Sequence, residues 1–182
     1  MRIIAGKFKG KTLHPPAQFK ARPTTDRARE SLFNVLDGHF DFDGKSILDL
    51  FAGTGAISIE SVSRGAAAVT AVDIEPISKK FIGQTCREWG IGNIKVIHAD
   101  VFALAKRANA SFDLVFADPP YAEKRIPLLP DLILNSGWLK PEAILVLEHG
   151  ASNTFEKHTH FMEHRAYGHV HFSFFRAKSA ES

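Results

Sequence analysis

Four carboxylates stand at matched places in this chain: Asp49, Asp73, Asp100 and Asp118 each close a short apolar run. Two of them open motifs with a chemical meaning. Asp49-Leu50-Phe51-Ala52-Gly53-Thr54-Gly55 follows Ser46-Ile47-Leu48 and precedes Ala56 to Val62, whose apolar spacing suits a helix. A strand, a tight turn and a helix in that order let a ligand approach the backbone at Gly53 and Gly55, under the unpaired N–H groups of the helix start. In Asp118-Pro119-Pro120-Tyr121 the prolines remove two backbone donors and stiffen the chain. The Pro119 carbonyl is thereby held beside the Asp118 side chain, and two acceptors converge on one spot next to an aromatic ring. A planar base whose exocyclic NH₂ offers two donors matches that arrangement, with Tyr121 stacking on its face.

The ligand at the glycine turn is set by charge. A dinucleotide fingerprint would place a third glycine where this chain has Ser58. The carboxylate of Asp49 would repel a pyrophosphate and attract a cation, and S-adenosylmethionine carries both a sulfonium and an ammonium. Asp73 lies 18 residues after Gly55, near the ~20 at which an acid commonly binds ribose hydroxyls. Asp100 would face the adenine edge, whose amine needs an acceptor. The competing reading of any one such Asp is a helix cap, and of Asp-Pro-Pro-Tyr a rigid turn.

These side chains need a scaffold that brings strand ends together. From Gly44 onward apolar segments alternate in type: strands at 47–50, 68–72, 94–98, 112–116 and 143–148, with helices at 56–64, 76–89, 101–106 and 125–134. The alternation implies an α/β fold, a doubly wound, mostly parallel sheet covered on both faces, with ligands at the carboxyl ends of its strands. Residues 158–165 and 167–176 meet near Gly168 with no helix between them, which adds a terminal antiparallel hairpin and brings the sheet to seven strands.

Ahead of this body lies a different segment. Residues 1–30 hold eight Lys and Arg against Asp26 and Glu30, a net +6, so in a chain of net +3 the other 152 residues sum to −3. A basic arm on a slightly acidic body suits a polyanion partner, or else a solvated tail. Residues 2–6 and 10–13 read as a small β-hairpin around Lys7-Phe8-Lys9, ended by Pro15 and Pro16, with Phe8 either stacking on a base or packing in the core. A helix follows over 28–36, with Thr24 or Thr25 as its N-cap. The expected division is a basic extension over 1–40 and a catalytic domain over 41–182.

The 182 residues suffice for one full core, with an ordinary 45% hydrophobic and 24% charged content. Cys86 stands alone, which excludes an intrachain disulfide and a cysteine zinc cluster and suits a small core residue. Nothing reads as a signal peptide or a membrane span, so a cytoplasmic protein with no membrane partner is expected. His149, His158, His160, His164, His169 and His171 crowd the C-terminal part, with His158 and His160, like His169 and His171, on shared strand faces. No acid or Cys completes a recognisable ligand set, and no metal is expected.

At this point the chain resembles the class I S-adenosylmethionine-dependent methyltransferases that modify exocyclic amines of nucleic-acid bases. More narrowly it resembles the RsmD family of bacterial 16S ribosomal RNA guanine-N2 methyltransferases, through Arg2-Ile3-Ile4-Ala5-Gly6, Arg22-Pro23-Thr24, Asp26-Arg27, Arg29-Glu30, Leu32-Phe33-Asn34, the Asp49-to-Gly55 turn, Ser63-Arg64-Gly65-Ala66 and Asp118-to-Tyr121. The resemblance runs nearly end to end, with Asp73 where the family usually has Glu. It implies S-adenosylmethionine as cofactor, held by Asp49, Phe51, Gly53, Gly55, Asp73, Ile74, Asp100, Val101 and Asp118. It implies catalysis by Asp118, Pro119 and Tyr121, and methylation of guanine 966 of 16S ribosomal RNA, in an assembling small subunit, by a monomer. Lys7, Lys9, Lys11, Arg22, Arg27 and Arg29 would contact the RNA. Adenine-N6 methylation, a NAD(P)-dependent oxidoreductase and a non-catalytic RNA-binding module remain the alternatives.

Overall fold

The computed structural model of the chain describes residues 1–19 and 25–179. Helix α1 (Asp26–Leu36) precedes a seven-stranded sheet made of β1 (Ser46–Leu50), β2 (Ala68–Asp73), β3 (Ile94–His98), β4 (Phe112–Ala117), β5 (Leu139–His149), β6 (Phe161–Tyr167) and β7 (Val170–Arg176). The strands lie in the order β3-β2-β1-β4-β5-β7-β6. The first five run parallel, while β7 is antiparallel to both β5 and β6. Between them come α2 (Ala56–Ser63), α3 (Pro76–Trp89), α4 (Val101–Ala105), a 3₁₀ turn (Ile126–Leu128) and α5 (Leu129–Leu134).

The central strands are mostly apolar because helices cover both faces. Side chains alternate along each strand, so Leu48, Leu50, Val115 and Leu145 join one buried cluster while Ile47, Leu114, Phe116 and Val146 join the other, under α1. Each of these side chains, fully withdrawn from water, contributes about 1.5–3 kcal/mol. Thr25 caps α1, its side chain accepting from the Ala28 N–H; Lys20 to Thr24, and with them Thr24 as the other cap candidate, lie outside the described residues. Pro76 opens α3, and Gly90, in the left-handed region at φ 66°, closes it.

The structure corrects four local expectations. The N-terminal hairpin forms but is short, with one antiparallel bridge, Arg2 to Thr12, and bonds from Ile3 N–H to the Lys11 carbonyl and from Leu13 N–H to the Met1 carbonyl at 2.8 Å each, while Ile4, Ala5 and Lys7 donate to α2. Ile4 and Ala5 donate to the Glu60 carboxylate at 2.7 and 3.0 Å, and Lys7 to the Ser63 carbonyl at 2.8 Å. Phe8 is buried at 5% exposure, its ring 5.9 Å from that of Trp89, so it packs in the core and does not stack on a base. Strand β5 starts at Leu139, with a register shift against β4 between Phe112 and Leu114. His158 and His160 precede β6 and share no strand face: His158 Nε2 meets Asp131 at 3.2 Å and His160 Nδ1 the Arg176 carbonyl at 2.8 Å.

Candidate active site

The strand order reverses at the β1/β4 boundary, where the two strands pair through Leu50 and Ala117. Ligands of open α/β sheets lie in the crevice outside such a switch point. The glycine turn leaves β1 there and the Asp-Pro-Pro-Tyr loop leaves β4. Three bonds from backbone N–H groups fix them to their neighbours: Asp118 N–H donates to the Leu50 carbonyl at 3.2 Å, Ala52 N–H to the Val72 carbonyl at 3.0 Å, and Gly53 N–H to the side-chain Oδ2 of Asp73 at 2.7 Å. The two motifs, 69 residues apart in sequence, are thus one strand spacing apart in space, about 5 Å.

Each acid at this edge has a local task. Asp49 is 1% exposed, and its Oδ2 accepts from Ser58 N at 3.1 Å and Ser58 Oγ at 2.6 Å. Gly55, the N-cap of α2, has no side chain to cap with, so Asp49 supplies the first-turn acceptor. Burial, opposed by the Ser58 bonds, pushes its carboxyl up to about 7. The fixed charge expected of the turn is therefore carried in full only above that pH. Asp73, 9% exposed, accepts from Gly53 N and, through Oδ1, from Glu75 N at 2.8 Å. Asp100 caps α4 through the Ala103 N–H at 2.8 Å.

Apolar surface flanks these carboxylates. Ile74 stands 56% exposed directly after Asp73, whereas Val101 is 2% exposed in the core and offers the edge its backbone alone. Phe51 holds a left-handed backbone at φ 61°, a conformation that costs a bulky residue about 1–3 kcal/mol and recurs at binding sites. Its ring lies 6.2 Å from that of Phe102, over which the Arg125 guanidinium sits at 3.6 Å. Glu123 anchors Arg125, and that partnership holds the Glu123 carboxyl down to about 2.

In the Asp-Pro-Pro-Tyr loop Asp118 is half-buried, Pro119 buried and Tyr121 50% exposed. The Tyr121 hydroxyl donates to Glu148 Oε1 at 3.3 Å, and Glu148, near the end of β5, is 3% exposed. Burial first, then the charges of Glu148 and Asp118, hold the phenol well above its ordinary range, so it stays a donor. Gly150 lies against the ring edge, where an added Cβ would stand 3.7 Å from Cδ2. Sequence reasoning missed Glu148, Phe102 and Arg125. Glu148 was within its reach, because the fifth strand also closes on a carboxylate.

Of the basic residues expected on RNA, Lys7, Lys9, Lys11 and Arg27 are exposed. Arg29 is turned inward at 1% exposure, bonded to the Arg2 carbonyl and to Asp26 Oδ1, and has no surface to offer a phosphate. Arg22 lies outside the described residues. His149 is fully buried, bonded to Ser173 Oγ at 2.8 Å, while His164 Nε2 meets His171 Nδ1 at 2.9 Å. Burial lowers the His149 and His171 rings below the ordinary imidazole range. Among the described residues no group of His, Cys, Asp and Glu is arranged to hold a metal, and no helix is long and apolar enough to cross a membrane.

Residues 1–176 match the family model described as Conserved hypothetical protein 95. The chain is 32% identical to Ribosomal RNA small subunit methyltransferase D of Escherichia coli strain K12, over 84% of this chain and 76% of that protein. It is equally 32% identical to the protein of the same name from Buchnera aphidicola, over 86% and 79%. Among solved structures, a hypothetical protein of Thermus thermophilus superposes with a TM-score of 0.82 at 29% identity, covering 96% of this chain and 98% of that one.

Proposed function

The chain belongs to the Conserved hypothetical protein 95 family, and from that membership we propose that it methylates the exocyclic N2 amine of a guanine in small-subunit ribosomal RNA, guanine 966 by resemblance. The observation that carries the reading is the bond from Asp118 N–H to the Leu50 carbonyl, which sets the base-gripping loop beside the glycine turn.

The residues of the turn fit S-adenosylmethionine. The exposed Ile74 offers an apolar surface for an adenine, the carboxylates of Asp73 and Asp100 stand beside it, and Gly53, where an added Cβ would meet nothing nearer than 4.0 Å, leaves the backbone open. When bound, the cofactor supplies an activated methyl group on a sulfonium. Phe51 and the half-exposed Asp118 border the same edge.

Guanine N2 is a weak nucleophile because its lone pair is delocalised into the ring. As the nitrogen turns tetrahedral to form the new N–C bond, its hydrogens become more acidic. Asp118 and the Pro119 carbonyl accept from those hydrogens and stabilise the transition state more than the ground state. Tyr121 stacks on the base, which must leave any helix to reach the loop. The proton released from N2 passes to Asp118 or to water. Residues 41–182 carry this chemistry and residues 1–40 the RNA contacts, among them Lys7, Lys9, Lys11 and Arg27.

The test is Asp118→Ala assayed with ribosomal RNA from a strain lacking this protein. Transfer is expected to vanish while S-adenosylhomocysteine binds as in the parent; surviving activity overturns the assignment. Mapping the modified nucleotide separates guanine N2 from adenine N6, and a preference for NAD over S-adenosylhomocysteine would point to an oxidoreductase instead.

A further inference from the structure

The arm leaves the catalytic edge. Met1 meets Thr54 of the glycine turn, Ile4 and Ala5 meet Glu60 in the middle of α2, and Lys7 and Phe8 meet Ser63 at its end. The arm therefore runs along α2 from the cofactor turn to the opposite edge of the sheet. That edge is marked by Gly44 and Lys45, which precede β1 and bond to Gly65 and Ala67, and by residues 90–93, which precede β3. Lys7 and Phe8 line a depression of about 340 Å³ there with Val62 and residues 90–93.

Lys7, Lys9 and Lys11 are all exposed at this far edge. Lys11 Nζ stands 4.9 Å from the Trp89 ring and 5.4 Å from the Phe8 ring, and Lys7 Nζ stands 5.3 Å from Phe8, so the buried Phe8 and the half-buried Trp89 hold two of the three cations in place. Residues 1–19 contain four Lys and Arg and no acid. Acids of the same edge, among them Asp43, Glu88 and Asp113, belong to the body. From the start of β2 to Asp73 the sheet is six residues deep, about 20 Å.

We propose that Lys7, Lys9 and Lys11 form a second RNA contact, on the edge of the sheet opposite the catalytic loop, gripping phosphates several nucleotides away from the base that enters the site. The proposal rests on the functional reading above and extends it. The substrate it demands is an RNA long or folded enough to pass along α2, because a lone loop at the catalytic edge would not reach the lysines. Phosphate contacts fix position without reading sequence, so this grip sets register while the loop of Asp118 handles the base.

The experiment compares two RNAs, a short stem-loop with unpaired guanines and the same stem-loop extended by a duplex. Binding is measured with S-adenosylhomocysteine present, across a salt series. For Lys7→Gln/Lys9→Gln/Lys11→Gln, affinity for the extended RNA should fall about tenfold or more, and its log–log salt slope should shrink by roughly two to three. The short stem-loop should bind variant and parent alike, and the triple Lys→Arg variant should behave as the parent on both. The arm is fastened through its backbone to Glu60 and Ser63, so these substitutions leave it in place. Equal losses on both RNAs would put the lysines at the catalytic edge, and no loss on either would make them a solubility feature; each overturns the proposal. Failure of the functional reading looks different: the parent would transfer no methyl group while binding still depended on the lysines.

Discussion

The Tyr121 hydroxyl donates to Glu148 Oε1 at 3.3 Å from beneath a ring that is half exposed. The stacking surface proposed for the base is of most use when it is immobile beforehand, and this bond, with Gly150 at the ring edge, fixes the phenol. Tyr121→Phe keeps the ring and loses the anchor, and Glu148→Ala loses the anchor from the other side. Each should lower kcat/KM for RNA about tenfold, the worth of one hydrogen bond near 1.4 kcal/mol, with S-adenosylhomocysteine affinity unchanged. The double variant should be no worse than either single one, because both remove the same contact. Losses that multiply would mean that the two residues act separately.

Asp49 makes the stability of the fold depend on pH. In the folded chain its carboxyl keeps a proton up to about pH 7, while unfolded it would release it near 3.8. Between these values the folded state binds the extra proton, so this group's contribution falls as pH rises from about 4 to 7 and is level above that. Asp49→Asn is neutral throughout and can still accept from Ser58 N–H. Denaturant titrations of both proteins should show the difference between them moving in favour of the Asn variant by roughly 4 kcal/mol across that window. A constant difference would mean that Asp49 ionises well below neutrality.

Much of this was open to inspection in the sequence, for physical reasons that differ by element. The central parallel strands are buried on both faces, so β1 and β4 read as apolar runs with almost no error at their ends. Glycine and proline mark the helix limits at Gly65, Pro76 and Gly90. The four Asp residues were visible because each ends an apolar run. The direction of the arm was hidden, because its alternation suits a hairpin and only the fold supplies Glu60 and Ser63 as competing acceptors. Arg29 was misplaced on the RNA face for a related reason: charge in a sequence says nothing about which side of a helix faces the protein. The cap role of Asp49 was legible as an alternative, and its bonds from Ser58 N and Oγ show it.

Gly53 and Gly55 should respond unequally to alanine. Both hold left-handed backbone, φ 53° and 74°, but a Cβ at Gly53 would meet nothing nearer than 4.0 Å, whereas one at Gly55 would fall 2.7 Å from Cγ1 of the buried Ile82. Gly53→Ala should cost about 1 kcal/mol of stability through its backbone alone. Gly55→Ala adds a core clash of about 1–3 kcal/mol and displaces the start of α2. Thermal unfolding should rank Gly55→Ala well below Gly53→Ala, and isothermal titration should find cofactor binding lost in the former and only weakened in the latter.

Gly6 is the point at which the arm is locked to the body. It holds φ +77°, and a Cβ there would lie 1.7 Å from the Ser63 carbonyl oxygen, which is backbone and cannot turn aside. Gly6→Ala must therefore lift the arm from the end of α2 and break the bonds from Lys7 N–H to Ser63 O and from Phe8 N–H to Ser63 Oγ. The glycine turn sits at the other end of that helix and keeps its own bonds to Val72 and Asp73. Hydrogen exchange should show the Lys7 and Phe8 amides losing protection while Gly53 and Ser58 retain theirs. S-adenosylhomocysteine should bind the variant as it binds the parent, and the affinity for a long RNA should drop. Loss of cofactor binding together with RNA binding would show that the arm also supports the turn, and the two ends of α2 would then have to be treated as one mechanical unit.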